Sequence, residues 1–211
     1  IVGVIIQSQF AHQNLHVVMA AYEKISDAQA AADLAVANRA ASAEIIDGRL
    51  LKRAAAQGKK RDFAPEKSYD GALMMAVFDQ FSEGARQRSS KKLERELKKA
   101  KNTVHISVKP YTLAELTDIR SILEVANQPD APGKVVPGAF SGLWLPAVQL
   151  DSFLAELKKV EKEHGVELPI FTDVASGFID LLPVLDMKKV SDRQKLIKVL
   201  TAVSQLVVKQ H

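Results

Sequence analysis

The chain has 211 residues, of which 47% are hydrophobic and 26% are charged, an ordinary composition for a globular protein. It contains no cysteine, which excludes disulfides, thiolate catalysis and cysteine-ligated metal centres. The formal net charge is +4, and no apolar run approaches the roughly 20 residues that a membrane-spanning helix requires.

The first elements alternate between strand and helix. Residues 1–6 form an apolar segment that predicts a strand, and since a strand needs a partner, we expect a pairing strand upstream of it. Residues 15–22 predict the next strand. Ser26-Asp27-Ala28-Gln29 has the pattern of a capping box, which predicts the start of an Ala-rich helix that runs to about Ala40.

The same alternation continues through the middle of the chain. The predicted strands cover residues 42–46, 71–78 and 103–109, and the predicted helices cover 47–57 and 82–101. Residues 58–68 are polar and basic and contain Pro65, which favours a loop. Pro110 is expected to end the third of these strands.

The last part of the chain begins with a helix over residues 112–126, which opens with a second capping box, Thr112-Leu113-Ala114-Glu115. Residues 127–141 hold three prolines and two glycines, which indicates a linker. The elements predicted after this linker are a strand at 142–148, a helix at 150–164, strands at 168–173 and 178–185 joined by a turn at Ser176-Gly177, and a final helix from Ser191 towards His211.

The order of these elements predicts an α+β fold built from two ferredoxin-like units. Residues 14–109 read β-α-β-(α)-β-α-β, and residues 142–211 read β-α-β-β-α, the split β-α-β plan without its final strand. We therefore expect antiparallel sheets with helices packed on one face. The predicted division is a first unit with its preceding strand at 1–126, a linker at 127–141, and a truncated second unit at 142–211.

Common catalytic and nucleotide-binding motifs are absent. The sequence has no G-x-G-x-x-G, no G-x-x-x-x-G-K, no G-x-S-x-G and no H-E-x-x-H. A ferredoxin-like RNA-binding module would carry a basic-Gly-aromatic run on a central strand, and neither candidate strand has one, so nucleic acid is not an expected partner. His12 and His16 are four residues apart but lie outside any predicted helix, which argues against a helical metal pair.

Basic residues gather in two stretches, 49–61 and 86–101. Glu94 and Glu96 interrupt the second stretch, which favours an ordinary solvated helix face. The alternative is a binding patch for nucleic acid or anionic lipid.

The segment from Phe171 to Asp186 resembles a known pattern. It reads F-T-D-V-A-S-G-F-I-D-L-L-P-V-L-D and is similar to F-G-H-x-G-D-G-N-x-H followed by x-x-P-V-L-D, a strand-turn-strand in the C-terminal or cap domain of FAD-linked oxidases of the D-lactate dehydrogenase and glycolate oxidase type. The residues that match without a gap are Phe171, Gly177, Pro183, Val184, Leu185 and Asp186.

Other segments resemble the same family in the same order. Residues 1–6 look like its Gly-Ile-Ile-Thr-Glu strand, and residues 44–47 look like its Glu-Leu-Met-Asp segment. Leu116 and Arg120 match the ends of its Leu-Trp-x-x-Arg motif, whose arginine faces the active site. Residues 143–146 resemble its Asp-Val-x-Val-Pro segment, so the resemblance covers almost the whole chain.

The resemblance implies the substrate or cap domain of an FAD-dependent oxidoreductase that oxidises a 2-hydroxy acid. In this family the cap is a duplicated ferredoxin-like fold, and FAD is held mainly by a separate domain. The resemblance thus implies a fragment that holds no FAD alone, has the FAD-binding domain as its partner, and contacts the substrate carboxylate through Arg120. It places the full-length enzyme in the cytoplasm or at a membrane periphery. The alternative is a non-catalytic α+β module for an anionic partner.

The sequence departs from the family pattern at the positions where the family binds a metal ion. Asp173 and Asp180 stand where the family has two metal-binding histidines, while Ser176 and Phe178 replace its Asp and Asn. Carboxylates bind hard ions and need further oxygens to do so, whereas imidazole suits zinc, iron or manganese. We therefore predict that Asp173 and Asp180 lie close together on neighbouring strands without a tightly bound transition metal. Thr117 also replaces the tryptophan of Leu-Trp-x-x-Arg.

Overall fold

The computed structural model describes residues 14–58, 71–128 and 131–209. The predicted strand at 1–6, nearly all of the predicted loop at 58–68, and His211 lie outside the described residues. The elements in chain order are β1 (Asn14–Tyr22), α1 (Ile25–Ala37), β2 (Ser42–Asp47), α2 (Gly48–Ala56), β3 (Ala72–Phe78), α3 (Glu83–Ala100), β4 (Thr103–Thr112), α4 (Leu113–Ala126), β5 (Lys134–Val135), β6 (Leu143–Trp144), α5 (Leu150–His164), β7 (Ile170–Asp173), β8 (Phe178–Leu181), β9 (Leu185–Asp186) and α6 (Val190–Lys209).

Seven of these strands form one antiparallel sheet in the order β4-β1-β3-β2-β7-β8-β6. The first four strands have the arrangement that a split β-α-β unit requires. The next three repeat that arrangement from the opposite side, and β2 pairs with β7 where the two halves meet. The predicted α+β class with an antiparallel sheet is confirmed.

The division of the chain at residues 127–141 stays a prediction. The described part of that segment contains β5, which pairs with β9 in a separate two-stranded sheet, and a 3-10 turn over Gly138–Phe140. Phe140 is fully buried in the same apolar cluster as residues of both halves.

Side chains alternate between the two faces of the sheet because successive residues of a strand point in opposite directions. On β1, Val18 and Ala20 join one apolar cluster, whereas Val17 and Met19 join another. The first face carries α1, α3, α5 and α6, the helices of the repeated units. The second face carries α2 and α4, which stand outside the repeat. Helix cover on both faces explains why all seven residues of β3 are buried.

Two local predictions concerning helix starts have different outcomes. The capping box at Thr112 is confirmed: Glu115 N donates to Thr112 Oγ1 at 3.2 Å, and Thr112 N donates to Glu115 Oε2 at 2.7 Å. The capping box at Ser26 is wrong, since α1 already begins at Ile25 and its N-cap, Lys24, makes no side-chain capping bond.

The prediction that Pro110 ends a strand is also wrong. β4 continues through Pro110 to Thr112, with Pro110 opposite His16 of β1. Within the described residues β4 is an edge strand that pairs only with β1. An edge strand tolerates proline because its outer side has no ladder bond to lose.

An ion-pair network ties the two halves of the sheet together near the start of α2. The Asp47 carboxylate caps this helix by accepting from Arg49 N at 2.9 Å, and it also accepts from Ile170 N of β7. The Arg49 guanidinium bridges Asp47 at 2.7 Å and Glu161 of α5 at 2.6 Å. Burial opposes the charge of Arg49, but the hydrogen bonds and charges of Asp47 and Glu161 outweigh it, so the pKa of Arg49 is raised. Among the described residues, no helix has the length and apolarity needed to cross a membrane.

Candidate functional site

The second face of the sheet has a polar and aromatic area beside α4. Glu44 of β2 lies opposite Asp173 of β7, and Phe178 of β8 lies opposite both Asp173 and Trp144 of β6. Cross-strand partners point to the same face of a sheet. These residues therefore form one row across three strand pairs. We call the surface formed by Glu44, Asp173, Phe178, Asp180 and Trp144 the candidate face.

Arg120 of α4 reaches the candidate face through Glu44. Its Nε donates to Glu44 Oε2 at 3.3 Å, and its Nη2 donates to Glu44 Oε1 and, at 3.4 Å, to Ser42 Oγ. The Glu44 side chain is 5% exposed and that of Arg120 is 40% exposed. A buried carboxylate requires a charged partner, so Glu44 fixes the orientation of the guanidinium. Within the described residues, Nη1 of Arg120 makes no hydrogen bond.

Asp173 and Asp180 lie on neighbouring strands and on the same face. Asp173 pairs with Phe178, and Asp180 pairs with Phe171, so the two aspartates occupy diagonal positions in the ladder. Such positions are roughly 7–8 Å apart. The Phe171 and Phe178 rings contact each other along the crossing diagonal, edge to face, with centroids 6.5 Å apart.

Both aspartates bind backbone amides. Asp173 Oδ1 accepts from Ala43 N at 2.9 Å and from Ala175 N at 3.2 Å. Asp180 Oδ1 accepts from Gly142 N at 2.8 Å. Each carboxylate thereby connects its strand to a neighbouring segment. Within residues 14–58, 71–128 and 131–209, no group of three or more His, Asp or Glu side chains has the arrangement to hold a metal ion.

Gly177 and Trp144 shape the end of the candidate face. Gly177 has a φ of +74°, and a Cβ there would lie 2.6 Å from Leu145 O and 2.9 Å from Trp144 Nε1. The indole Nε1 of Trp144 donates to Ser176 O at 2.9 Å, while 54% of the residue is exposed. The match of Gly177 to the family pattern thus has a physical reason, since only glycine fits at this turn.

Sequence reasoning selected Arg120, Asp173 and Asp180, and the structure places all three at or beside the candidate face. It assigned no role to Glu44, Ser42 or Trp144. Two signals were available: Glu44 is an acidic residue inside an apolar strand, and Trp144 is the single tryptophan of the chain. Pairing of Glu44 with Arg120 could not be read from the sequence because 76 positions separate them.

Comparison with known proteins identifies a family for the chain. Residues 11–211 match the family described as FAD linked oxidases, C-terminal domain. A comparison with curated protein sequences finds no match.

Several solved structures share the fold. A 4-ethylphenol oxidase from Gulosibacter chungangensis in complex with isoeugenol aligns over 91% of the chain with a TM-score of 0.55 and 10% identity. A p-cresol methylhydroxylase with substrate bound also aligns over 91%, with a TM-score of 0.56 and 12% identity. An alkyldihydroxyacetonephosphate synthase aligns over 95%, with a TM-score of 0.59 and 9% identity.

At these identities the structural likeness concerns the fold alone. The chain spans 43%, 43% and 40% of the lengths of the three solved chains, respectively. The family match, in contrast, extends over nearly the whole sequence. The chain therefore belongs to the family of FAD-linked oxidase C-terminal domains.

Proposed function

We propose that this domain forms the substrate-binding side of an FAD-dependent oxidoreductase that oxidises a 2-hydroxy acid such as lactate or glycolate. The observation that carries the proposal is Arg120, a half-exposed guanidinium held by a buried carboxylate at the rim of the candidate face. The proposed partner is the FAD-binding domain of the same enzyme, facing this surface.

The environment of Arg120 suits recognition of a carboxylate. Glu44 and Ser42 engage Nε and Nη2, which orients the planar guanidinium and leaves Nη1 for a further acceptor. A substrate carboxylate would receive a charge-assisted hydrogen bond from Nη1. Glu44 offsets much of the charge of Arg120, so orientation contributes more to recognition than net charge does.

FAD would supply the hydride acceptor, and the residues of this chain would hold the substrate. Neither a Gly-rich phosphate loop nor another nucleotide signature occurs in the sequence. We therefore assign the positioning of substrate to this chain and the FAD pyrophosphate to the FAD-binding domain. The isolated chain is expected to purify colourless, and flavin absorbance that co-purifies with it would contradict this expectation.

A second substrate class has support from the aromatic residues of the same surface. Trp144, which is 54% exposed, and the half-buried Phe178 are cross-strand partners on the candidate face, and accessible aromatic rings favour an aromatic ligand. Two of the solved relatives bear the names of enzymes that act on phenols. A 4-alkylphenol is therefore the competing substrate.

The test is flavin reduction in the longer enzyme that contains both domains. Anaerobic mixing with D-lactate, glycolate or 4-ethylphenol, followed by absorbance at the flavin band, distinguishes the substrate classes. Reduction by a 2-hydroxy acid is expected. Reduction by the phenol alone would overturn the proposed substrate and leave the family assignment in place.

The role of Arg120 is tested in the same assay with Arg120→Lys. Lysine keeps the charge near Glu44 but lacks the planar fork. We expect KM for the 2-hydroxy acid to rise about tenfold or more, the effect of losing one charge-assisted hydrogen bond. Arg193→Lys, the same substitution at an exposed position of α6 on the first face, is the matched control and should leave KM unchanged. Equal KM values for Arg120→Lys and the control would refute the role of Arg120.

A further inference from the structure

The solvent side of α3 presents a continuous basic surface. This helix is 18 residues long, or about 27 Å. Arg86, Ser90, Leu93 and Leu97 form its buried side. Six other basic residues are exposed: Arg88, Lys91, Lys92, Arg95, Lys98 and Lys99.

These six residues share one side of the helix. At 3.6 residues per turn they fall within an arc of about 120° that points away from the buried residues. We call this arc the α3 basic surface. Glu94 and Glu96 lie on its two borders and bind inwards or along the helix: Glu94 pairs with Lys98 at 2.6 Å, and Glu96 accepts from Asn38, the C-cap of α1, at 2.6 Å. The interruption by glutamates that is visible in the sequence therefore does not divide the surface in three dimensions.

Most of this charge is not neutralised by the protein itself. Within the described residues, Arg88, Lys91, Arg95 and Lys99 form no ion pair with an acidic side chain. The helix rises about 17 Å from Arg88 to Lys99, and four uncompensated charges over this length favour an extended anionic partner.

An exposed aromatic residue stands at the start of the same helix. Phe81 immediately precedes the N-cap Ser82 and is 88% exposed. A membrane interface suits this arrangement, because an exposed ring can enter the apolar boundary while the cations remain at the headgroups. A nucleic acid would instead favour several aromatic rings along the basic surface for base stacking.

We propose that the α3 basic surface, with Phe81 beside it, docks the protein on an anionic lipid membrane. Clusters of four to eight Lys and Arg on an amphipathic helix have this electrostatic complementarity to acidic headgroups. α3 packs on the first face of the sheet, whereas the candidate face belongs to the second. A membrane bound to α3 therefore leaves the candidate face uncovered, so lipid docking does not depend on the proposed substrate.

The test is sedimentation of the 211-residue chain with vesicles. One set contains phosphatidylcholine alone, and the other contains phosphatidylcholine with 30 mol% phosphatidylserine. Binding is expected only to the anionic set, and it should weaken as NaCl rises from 50 to 300 mM, because salt screens the attraction. Equal binding to both sets, or no binding to either, would overturn the proposal.

The surface is tested by the triple variant Arg88→Gln, Lys91→Gln, Arg95→Gln. Each basic side chain near an anionic membrane contributes about fivefold in affinity, so the triple variant should bind roughly 100-fold more weakly. The matched control is Lys158→Gln, Lys162→Gln, Lys198→Gln, which removes the same charge from exposed positions of α5 and α6. An equal loss in the control would show that net charge, not this surface, drives binding, and would refute the site. Circular dichroism should show whether both variants fold as the unmodified chain does.

The variant Phe81→Ala distinguishes insertion of the Phe81 ring into the membrane from attraction between the basic residues and the lipid headgroups. It should lower affinity for the anionic vesicles severalfold and leave the salt dependence unchanged, because the charges remain. Unchanged affinity would refute the part assigned to Phe81. A single-stranded oligonucleotide is the competing partner, and tight binding to it without binding to vesicles would replace the membrane proposal.

Discussion

The carboxylate of Glu44, buried in β2, forms an ion pair with the guanidinium of Arg120 on α4. This contact joins the sheet to a helix of its second face and sets the direction of the arginine. The proposed substrate contact and the first stability prediction below both rest on this interaction.

Removing Arg120 should destabilise the protein through Glu44. Arg120→Met leaves a buried carboxylate without its partner, and we expect a loss of about 2 kcal/mol in the free energy of unfolding. The loss should be smaller than for a fully buried pair because the Arg120 side chain is 40% exposed. The double variant Glu44→Gln, Arg120→Met should recover most of it. Urea unfolding of the four proteins in this cycle measures the effect, and strictly additive losses would contradict the coupling.

Two glycines with nearly equal φ angles allow the cost of backbone strain and the cost of steric overlap to be measured separately. Gly142 has a φ of +75°, and a Cβ added there would meet no atom of the described residues within 4 Å. Gly177 has a φ of +74°, but its Cβ would lie 2.6 Å from Leu145 O. Gly142→Ala should cost about 1–2 kcal/mol from the left-handed conformation alone. Gly177→Ala should cost about 1–3 kcal/mol more, because its Cβ overlaps a backbone oxygen and not the movable end of a side chain. Thermal or urea unfolding gives both values, and equal losses would show that the turn relaxes.

His16 should make stability fall at acidic pH. Burial lowers its pKa first, and the positive charges of Arg86 and Lys91 on α3 lower it further, while Glu83 acts in the opposite direction. The folded-state pKa thus lies below the unfolded value near 6.5. As far as it depends on His16, the free energy of unfolding is therefore highest above about pH 6.5. It decreases as the pH falls towards the folded-state pKa, because the unfolded chain takes up the proton first.

Urea unfolding at pH 7, 6 and 5 checks this expectation. His16→Gln should lose less stability between pH 7 and pH 5 than the unmodified chain does. Lys91→Gln should also reduce the loss, since removing a nearby positive charge brings the folded-state pKa of His16 closer to the unfolded value. Identical slopes for the unmodified chain and His16→Gln would rule out His16 as the cause.

The aspartates at the histidine positions of the family are expected to hold no tightly bound transition metal. Asp173 and Asp180 each bind backbone amides through Oδ1, and the Phe171 and Phe178 rings meet between them. Elemental analysis of the longer enzyme after dialysis should find no stoichiometric zinc, iron or manganese. The double variant Asp173→His, Asp180→His offers imidazole ligands instead and is the comparison protein. Stoichiometric metal in the unmodified enzyme would refute a degenerate site.

The order and type of most elements could be predicted from the sequence because their signals are local. A run of strand-forming residues indicated β1, and the alternation of apolar residues indicated β4. Thr112 with Glu115 marked the start of α4 by a bond between neighbours. The reading β-α-β-(α)-β-α-β followed by β-α-β-β-α corresponds to the observed order over these residues, except that the strand predicted at 178–185 is divided into β8 and the separate strand β9. The residues around Gly177 also carried the family resemblance, since that turn accepts only glycine.

Predictions from short stretches of sequence failed where contact with a distant strand or helix determined the structure. Pro110 remains inside β4 because this strand lies at the edge of the sheet formed by the described residues, a fact that only strand order reveals. Helices cover both faces because α2 and α4 pack opposite the helices of the repeat.

By itself, the sequence determined the α+β class, the repeated order of elements and the family, because these depend on residue periodicity and short motifs. Only the tertiary structure decided that β2 pairs with β7, that Glu44 meets Arg120, and that Asp173 and Asp180 bind backbone amides. Likewise, the sequence does not show that the six exposed cations of α3 share one surface, because this depends on which side of the helix is buried. Such contacts join residues far apart in the chain, and their energies depend on burial and geometry that no short stretch of sequence encodes.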